Sequence, residues 1–360
     1  MLPEGSDPFY SEGWRIVNHI PKCGLQYNAT DGGRVKSTRD RLLSCLKENR
    51  RSWVSGEWLS RELAVSRAAI NKHVQQLKKM GYSIETSTKK GYSLGESPDL
   101  LLAEEIREGL NTRVFGAREI ISLAEADSTN LRAKDLAAGG APEGTVVLAE
   151  RQTEGRGRKG RSWFSPAGAG IYLSLVLRPT MAPSDAPGIT LMTGVAAAEA
   201  LFSVTRLDTR IKWPNDILVR GKKIAGILTE ISTEMDRIDH VVVGLGLNVN
   251  MPRESLAEEL RERATSVLIE TGMYHARVKL VQAFLERFET YYRILQDQGF
   301  EPIRNRWKEL ANIIGRRINV EMIGKAQTGR VLDVDTDGVL ILEDDQGGIH
   351  RIASGDVTLL

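Results

Sequence analysis

Residues 152–166 read Gln152-Thr153-Glu154-Gly155-Arg156-Gly157-Arg158-Lys159-Gly160-Arg161-Ser162-Trp163-Phe164-Ser165-Pro166, the densest mixture of cationic side chains and glycine in the 360-residue chain. Gly155, Gly157 and Gly160 allow tight turning and close approach of backbone to a ligand. Arg156, Arg158, Lys159 and Arg161 bring donors matched to carboxylate and phosphate oxygens. The segment is therefore read as an anion-binding centre. Two phosphate motifs fit on paper, Gly-x-Gly-x-x-Gly over 155–160 and a near P-loop ending in Gly160-Arg161-Ser162. Both need a helix N-terminus directly afterwards to receive a pyrophosphate. Trp163-Phe164-Ser165-Pro166 and the small residues of 167–170 offer none, and Arg161 stands where the P-loop needs Lys. Neither motif is accepted. A solvated basic loop is the bland alternative, and it leaves the interleaved glycines and Trp163 without a purpose.

The composition, 41% hydrophobic and 27% charged, suits two or three domains with cores of their own. No run of about 18 apolar residues suggests a membrane span, and the start of the chain lacks the apolar core of a secretory signal. The expectation is a soluble, cytoplasmic protein with no membrane partner. Cys23 and Cys45 are too few for a disulfide framework. Cys45 falls in a helical apolar pattern, and His19 with Cys23 lacks further metal ligands. The formal net charge of +2 hides an asymmetry: residues 36–95 hold 13 Lys or Arg against 5 Asp or Glu, net +8, leaving −6 elsewhere. That end of the chain suits a polyanion.

Within 36–95 the spacing predicts helices. Leu42, Leu43 and Leu46 form one stripe, Ser55 caps a short helix with Trp58, Leu59 and Leu63, and Ser66 caps a third that stops at Gly81. The third buries Ile70, Val74 and Leu77 and presents Arg67, Asn71, Lys72 and Gln75 outward. Apolar alternation around Lys89 and Lys90 then reads as a hairpin, completing a winged helix-turn-helix. Glu96-Ser97-Pro98-Asp99 marks a boundary. Beyond it the patterns predict helices at Leu102 to Leu110, Leu191 to Phe202 and Val281 to Leu295, with strands at 146–148, 171–177 and 241–243. Mixed elements of this kind give an α+β domain. Short alternating strands follow from about residue 313 and fit a small β-barrel.

Three further stretches accompany the basic loop in order. They are Asp127-Ser128-Thr129-Asn130, then Lys212-Trp213-Pro214-Asn215-Asp216 with Lys223-Ile224-Ala225-Gly226-Ile227-Leu228, and then Gly244-Leu245-Gly246-Leu247-Asn248-Val249-Asn250. If Arg220-Gly221 is a two-residue hairpin loop, position 218 lies opposite Lys223. Asp216 then sits diagonally on the same face, within roughly 7–8 Å at Cβ.

With the Gly-Arg-Gly-Arg-x-Gly-Arg loop and its aromatic pair, this ordered set resembles the biotin-protein ligases, bifunctional members of which also repress biotin-synthesis genes. The resemblance spans about 36–360. It implies a poorly ordered extension over 1–35, a winged helix-turn-helix over 36–95, a biotin/lipoate-ligase type catalytic domain over 100–312 and an SH3-like barrel over 313–360. It further implies biotin as substrate, ATP and Mg²⁺ as co-substrate and ion, and no tightly bound prosthetic group. The implied partners are a biotin carboxyl carrier domain, operator DNA and a second copy of the chain, paired when biotinyl-AMP orders the loops at 155–164 and 251–266.

The same resemblance assigns roles. Ser128, Thr129, Asn130 and Gln152 would hydrogen-bond the biotin ring system, with Gly155, Gly157 and Gly226 beside it. Arg156, Arg158 and Lys223 would neutralise the reacting anions. Arg161, Trp163, Asn215 and Asp216 would serve the ATP side, Asp216 also as a Mg²⁺ ligand and as a guide for the acceptor amine. Ser66, Arg67, Asn71, Lys72, Gln75, Lys89 and Lys90 would face DNA. A DNA-binding biotin sensor without ligase activity and a lipoate ligase are the alternatives; the intact arginine loop with Lys223 speaks against the first, and the biotin-type Gly-Arg-Gly-Arg form of that loop against the second.

Overall fold

Three serines start the helices of the first unit. In the computed structural model, which describes residues 37–95, 99–235, 237–322 and 324–360 and the backbone of 30–31 and 34–35, a short ladder pairs β1 (Thr30–Asp31) with β2 (Arg34–Val35). The expectation for the rest of 1–35, and for His19 and Cys23, lies outside the described residues, as does the boundary stretch 96–98. Ser37 Oγ accepts from Asp40 N, Ser55 Oγ from Glu57 N and Trp58 N, and Ser66 Oγ from Ala69 N. They cap α1 (Thr38–Glu48), α2 (Gly56–Glu62) and α3 (Arg67–Lys79). Leu42, Leu46, Leu59, Ile70, Val74 and Leu77 are buried. Antiparallel β3 (Ile84–Ser87) and β4 (Gly91–Leu94) follow. Gly91 holds φ +97°, and a Cβ there would stand 2.1 Å from Val54 O, so only glycine lets the hairpin seat against the segment that leads into α2.

The chain divides into compact units at Pro98 and Asp99. The second opens with α4 (Ala103–Arg107), β5 (Ile120–Leu123), α5 (Thr129–Ala138), β6 (Val146–Ala149), β7 (Gly170–Leu177) and α6 (Pro187–Thr205). It continues through β8 (Thr209–Lys212), β9 (Asp216–Val219), β10 (Lys222–Glu234), β11 (Arg237–Asn248), α7 (Val267–Thr271), α8 (Arg277–Gln298) and α9 (Glu301–Ala311). Seven strands form one sheet in the order β5-β6-β7-β11-β10-β9-β8, parallel only between β5 and β6. Side-chain alternation splits its faces. Leu173, Leu175, Leu177, Val241 and Val243 join α6, α8 and α9 in the main core, whereas Val147, Val176 and Val242 meet Ala133 and Ala137 of α5. α5 is ten residues long and leaves part of its face open. The functional site occupies that opening.

Several expectations need correction. The strand expected at 241–243 is the middle of the twelve-residue β11, and the helix expected through Leu110 ends at Arg107, with Gly109 at φ +84°. β5, α5, β8 and α9 had not been singled out. Pro183–Thr205 is long and apolar enough to cross a membrane by length and composition only, and 67% of its most apolar 18-residue window is buried inside the fold, as in a core helix.

The last strands are β12 (Arg317–Met322), β13 (Lys325–Val334), β14 (Leu340–Glu343), β15 (Ile349–Ile352) and β16 (Asp356–Leu359), in the order β15-β14-β13-β12-β16. Among the described residues β15 and β16 share no ladder, so the expected barrel is an open five-stranded sheet in hydrogen-bonding terms. Its Val320, Val331, Leu340 and Leu342 belong to the same core as the central sheet, and Trp213 Nε1 donates to Gly338 O at 3.3 Å.

Candidate active site

The β9–β10 turn places the first pair of charges. Arg220 and Gly221 hold φ +50° and +78°, as a type I′ loop requires. The register pairs Lys222 with Val219 and Lys223 with Leu218, then shifts, so that Ile224 is an extra residue before Ala225 pairs with Ile217 and Gly226 with Asp216. This bulge lets Lys223 and Gly226, three positions apart, share the face of Asp216. Lys223 Nζ lies 2.6 Å from Asp216 Oδ1. Trp213-Pro214, a cis peptide, leads into Asn215 and Asp216. The Lys223 backbone bonds Arg263 O (2.8 Å) and Thr265 N (2.9 Å), pinning part of the 251–266 segment beside the site.

The basic loop folds back on itself as a miniature hairpin. Arg156 bridges Ser162, Gly157 N donates to Arg161 O at 2.7 Å, and Trp163 N donates to Gly155 O at 2.8 Å. Lys159 and Gly160 turn the tip with φ +56° and +74°. A Cβ on Gly155 would meet Trp163 O at 2.4 Å, so this glycine serves the loop's own closure. Arg158 Nη1 donates to Asn215 Oδ1 at 3.0 Å. Burial pulls the Arg158 guanidinium below its ordinary pKa, against the raising influence of Asp356 and Asp216. Asp356, at the start of β16, takes Arg161 at 2.5 Å and Lys159 at 3.7 Å. Burial pushes the Asp356 carboxyl upward, but the Arg161 hydrogen bond and the charges of Arg161, Lys159 and Arg158 outweigh it and hold the carboxyl below its usual range.

The floor is cleared by glycine. A Cβ on Gly246 would lie 2.5 Å from the Trp163 ring, one on Gly244 2.1 Å from Asn130 Oδ1, and one on Gly226 3.1 Å from both Trp163 and Lys223. Trp163 therefore rests directly on the sheet, its ring 5.2 Å below Lys223 Nζ. Its Nε1 is buried without a hydrogen-bond partner among the described residues. At the start of α5, the Thr129 backbone N–H donates to Gln152 Oε1 at 2.8 Å, and Gln152 Nε2 donates to Ser165 Oγ at 2.8 Å. Ser128 forms no capping bond.

These groups line one open cleft. Ser128, Thr129, Asn130, Gln152, Arg156, Gly157, Arg158, Arg161, Trp163, Asn215, Asp216, Lys223 and Gly226 all line it. Gly155 does not. Gly244, Gly246, Leu228 and Asp356 line it without having been assigned. The Gly-x-Gly alternation in a strand was a signal for the first two; Asp356, from the last strand, had none. Arg67, Asn71, Lys72, Gln75, Lys89 and Lys90 lie in the first unit and are exposed; the Ser66 hydroxyl is occupied as a helix cap.

For a divalent cation the cleft offers Asp216 and Asp356, each already facing a cation, and no group of three His, Cys, Asp or Glu occurs among the described residues. Such a set fits Mg²⁺ carried mainly by phosphate oxygens and water, with one carboxylate.

Residues 38–93 match an HTH domain, 123–248 the biotin/lipoate A/B protein ligase family and 313–360 the biotin protein ligase C terminal domain. A bifunctional ligase/repressor BirA of Bacillus spizizenii is 40% identical over 326 residues, 90% of this chain and 100% of that protein. The one from Escherichia coli K12 is 35% identical over 305 residues, 85% and 92%. A biotin protein ligase from Aquifex aeolicus, solved with biotin and ATP, superposes with a TM-score of 0.58 at 30% identity, covering 67% of this chain and 98% of that one. The arginine loop, the glycine floor and these likenesses agree: the chain belongs to the biotin/lipoate A/B protein ligase family.

Proposed function

We propose that the protein joins biotin to the AMP portion of ATP as biotinyl-AMP with release of pyrophosphate, passes the biotinyl group to a lysine of a biotin carboxyl carrier domain with release of AMP, and represses transcription through its first unit in response to biotin. The observation that carries the ligase reading is the convergence of the Lys223–Asp216 pair and the Asn215-bound Arg158 on one glycine-floored cleft.

A carboxylate must be activated before an amine can displace its oxygen. Attack of the biotin carboxylate on the α-phosphorus of ATP brings two anions together, so fixed cations at the meeting point lower the barrier. Lys223, Arg156 and Arg158 supply them. Asp216 holds the Lys223 amine in place, and the Asn215 bond steadies Arg158. Arg161 and the Trp163 ring face serve the nucleotide. Mg²⁺, bound with the phosphates beside Asp216, would supply further neutralisation. Ser128, Thr129, Asn130 and Gln152 hold the biotin ring, with Gly157 and Gly226 beside it. Arg158, closing over the mixed anhydride, excludes water until the acceptor amine arrives, which Asp216 orients.

In the first unit, α3 and the hairpin turn present Arg67, Asn71, Lys72, Gln75, Lys89 and Lys90 to operator DNA. Biotinyl-AMP promotes a homodimer that matches a two-fold operator. The domains run over 36–95, 100–312 and 313–360, and the protein works in the cytoplasm. The test is the mass gained by a carrier domain incubated with the protein, biotin and ATP. A carrier left unmodified while the protein still binds biotin would favour the sensor reading. Preferential adenylation of lipoate in a two-acid competition would favour the lipoate ligase.

A further inference from the structure

Asn130 is 4% exposed and its amide is bonded on both sides. Nδ2 donates to Leu228 O at 3.2 Å and to Glu230 Oε2 at 2.9 Å, while Oδ1 accepts from Ser174 Oγ at 2.6 Å. Turning the amide over would set its oxygen against a carbonyl and a carboxylate, both acceptors, so the Leu228 and Glu230 oxygens determine which way it points. An amide nitrogen has two hydrogens, and both are engaged. The remaining capacity of Asn130 toward the cleft is the second lone pair of Oδ1, over Gly244. Gln152 is fixed in the opposite sense: its Oε1 accepts from Thr129 N and its Nε2, bonded once to Ser165, has a hydrogen left. An acceptor and a donor lining the same cleft match the N–H and C=O of a cyclic urea.

We propose that Glu230 is a positioning residue that sets the cleft's selectivity. By engaging the Asn130 amide it makes this end of the cleft an acceptor, which favours a ligand ring bearing N–H and disfavours a dithiolane that lacks one. An unpaired buried acceptor penalises the wrong ring more strongly than a lost apolar contact does. Lys134 Nζ lies 3.2 Å from the other carboxylate oxygen, a partly exposed pair that touches neither Asn130 nor the floor glycines. The inference rests on the reading of the cleft as a biotin site.

Calorimetry on the full chain without ATP isolates this role, with biotin, dethiobiotin and lipoate as probes. Glu230→Gln keeps shape but can donate to Asn130 Oδ1, releasing the amide. The expected result is a Kd for biotin and dethiobiotin raised about tenfold or more, a Kd for lipoate that does not rise, and an unchanged thermal melting curve. Lys134→Met removes the ion pair alone and should leave all three unchanged. An equal weakening toward all three acids would make Glu230 merely structural, and an unaltered biotin Kd in folded Glu230→Gln would overturn the inference outright. Should that variant not fold, Glu230→Asp, which keeps the charge but loses reach, is held to the same outcomes. Wild-type protein that binds biotin without exchanging pyrophosphate contradicts the ligase reading while leaving this one standing; protein that binds no biotin overturns both.

Discussion

Arg161 and Lys159 of the cleft loop share Asp356, and Arg158 is bonded to Asn215, whereas Arg67, Lys72 and Lys89 of the first unit have no ion-pair partner among the described residues. Both regions concentrate positive charge, yet one is internally braced and the other bare. Braced cations keep their geometry before a ligand arrives, as a site reading one small molecule requires. Bare, exposed cations stay hydrated and surrounded by counterions, which a polyphosphate backbone displaces one at a time. Substitutions in the two regions should therefore fail differently.

Lys223→Ala should give the largest effect, a fall of about 10³ in biotinyl-AMP formation with folding retained, read from pyrophosphate release. Near-normal release would remove the ammonium from the chemistry. Gly246→Ala places a methyl where the Trp163 ring now rests. Biotin affinity should drop about 10²-fold by calorimetry, with a shift in tryptophan fluorescence. If neither changes, the ring does not depend on that floor.

Arg67→Ala should weaken operator binding about tenfold at low salt and reduce the salt slope by about one, leaving ligation untouched. A loss independent of salt would mean that α3 is braced after all. The smallest effect is expected for Asp356→Asn. It loosens Arg161 and Lys159 without removing a cation from the cleft, so kcat/KM should fall only about fivefold, within what an exposed ion pair contributes. A fall as large as that of Lys223→Ala would make the brace as important as the charges it holds.

Much of the braced site was legible because its parts are local. A two-residue turn fixes the pairing of its strands, so Arg220-Gly221 was enough to set Lys223 opposite Leu218. The bulge at Ile224 was not legible, since nothing in its side chain distinguishes an inserted residue from a paired one. Asp356 and Glu230 were missed for another reason. Each is an ordinary acidic residue in sequence, and its importance comes from a partner about a hundred or more positions away, Asn130 for one and Arg161 for the other. α9 could have been found from the four-residue spacing of Ile303, Trp307 and Ala311. The second and third helices of the first unit declared themselves through serine caps, a signal confined to three or four neighbouring residues, and the first through its leucine stripe.

The helix that carries α6 has a consequence during synthesis. Pro183–Thr205 is hidden in the finished protein by strands and helices that are encoded after it, so a ribosome exposes this stretch before its cover exists. Insertion machinery that sorts nascent chains by apolar length alone would meet a plausible client in that interval. The apolar side of α6 stays uncovered until the strands from β8 to β11 and the helices α8 and α9 have followed it out.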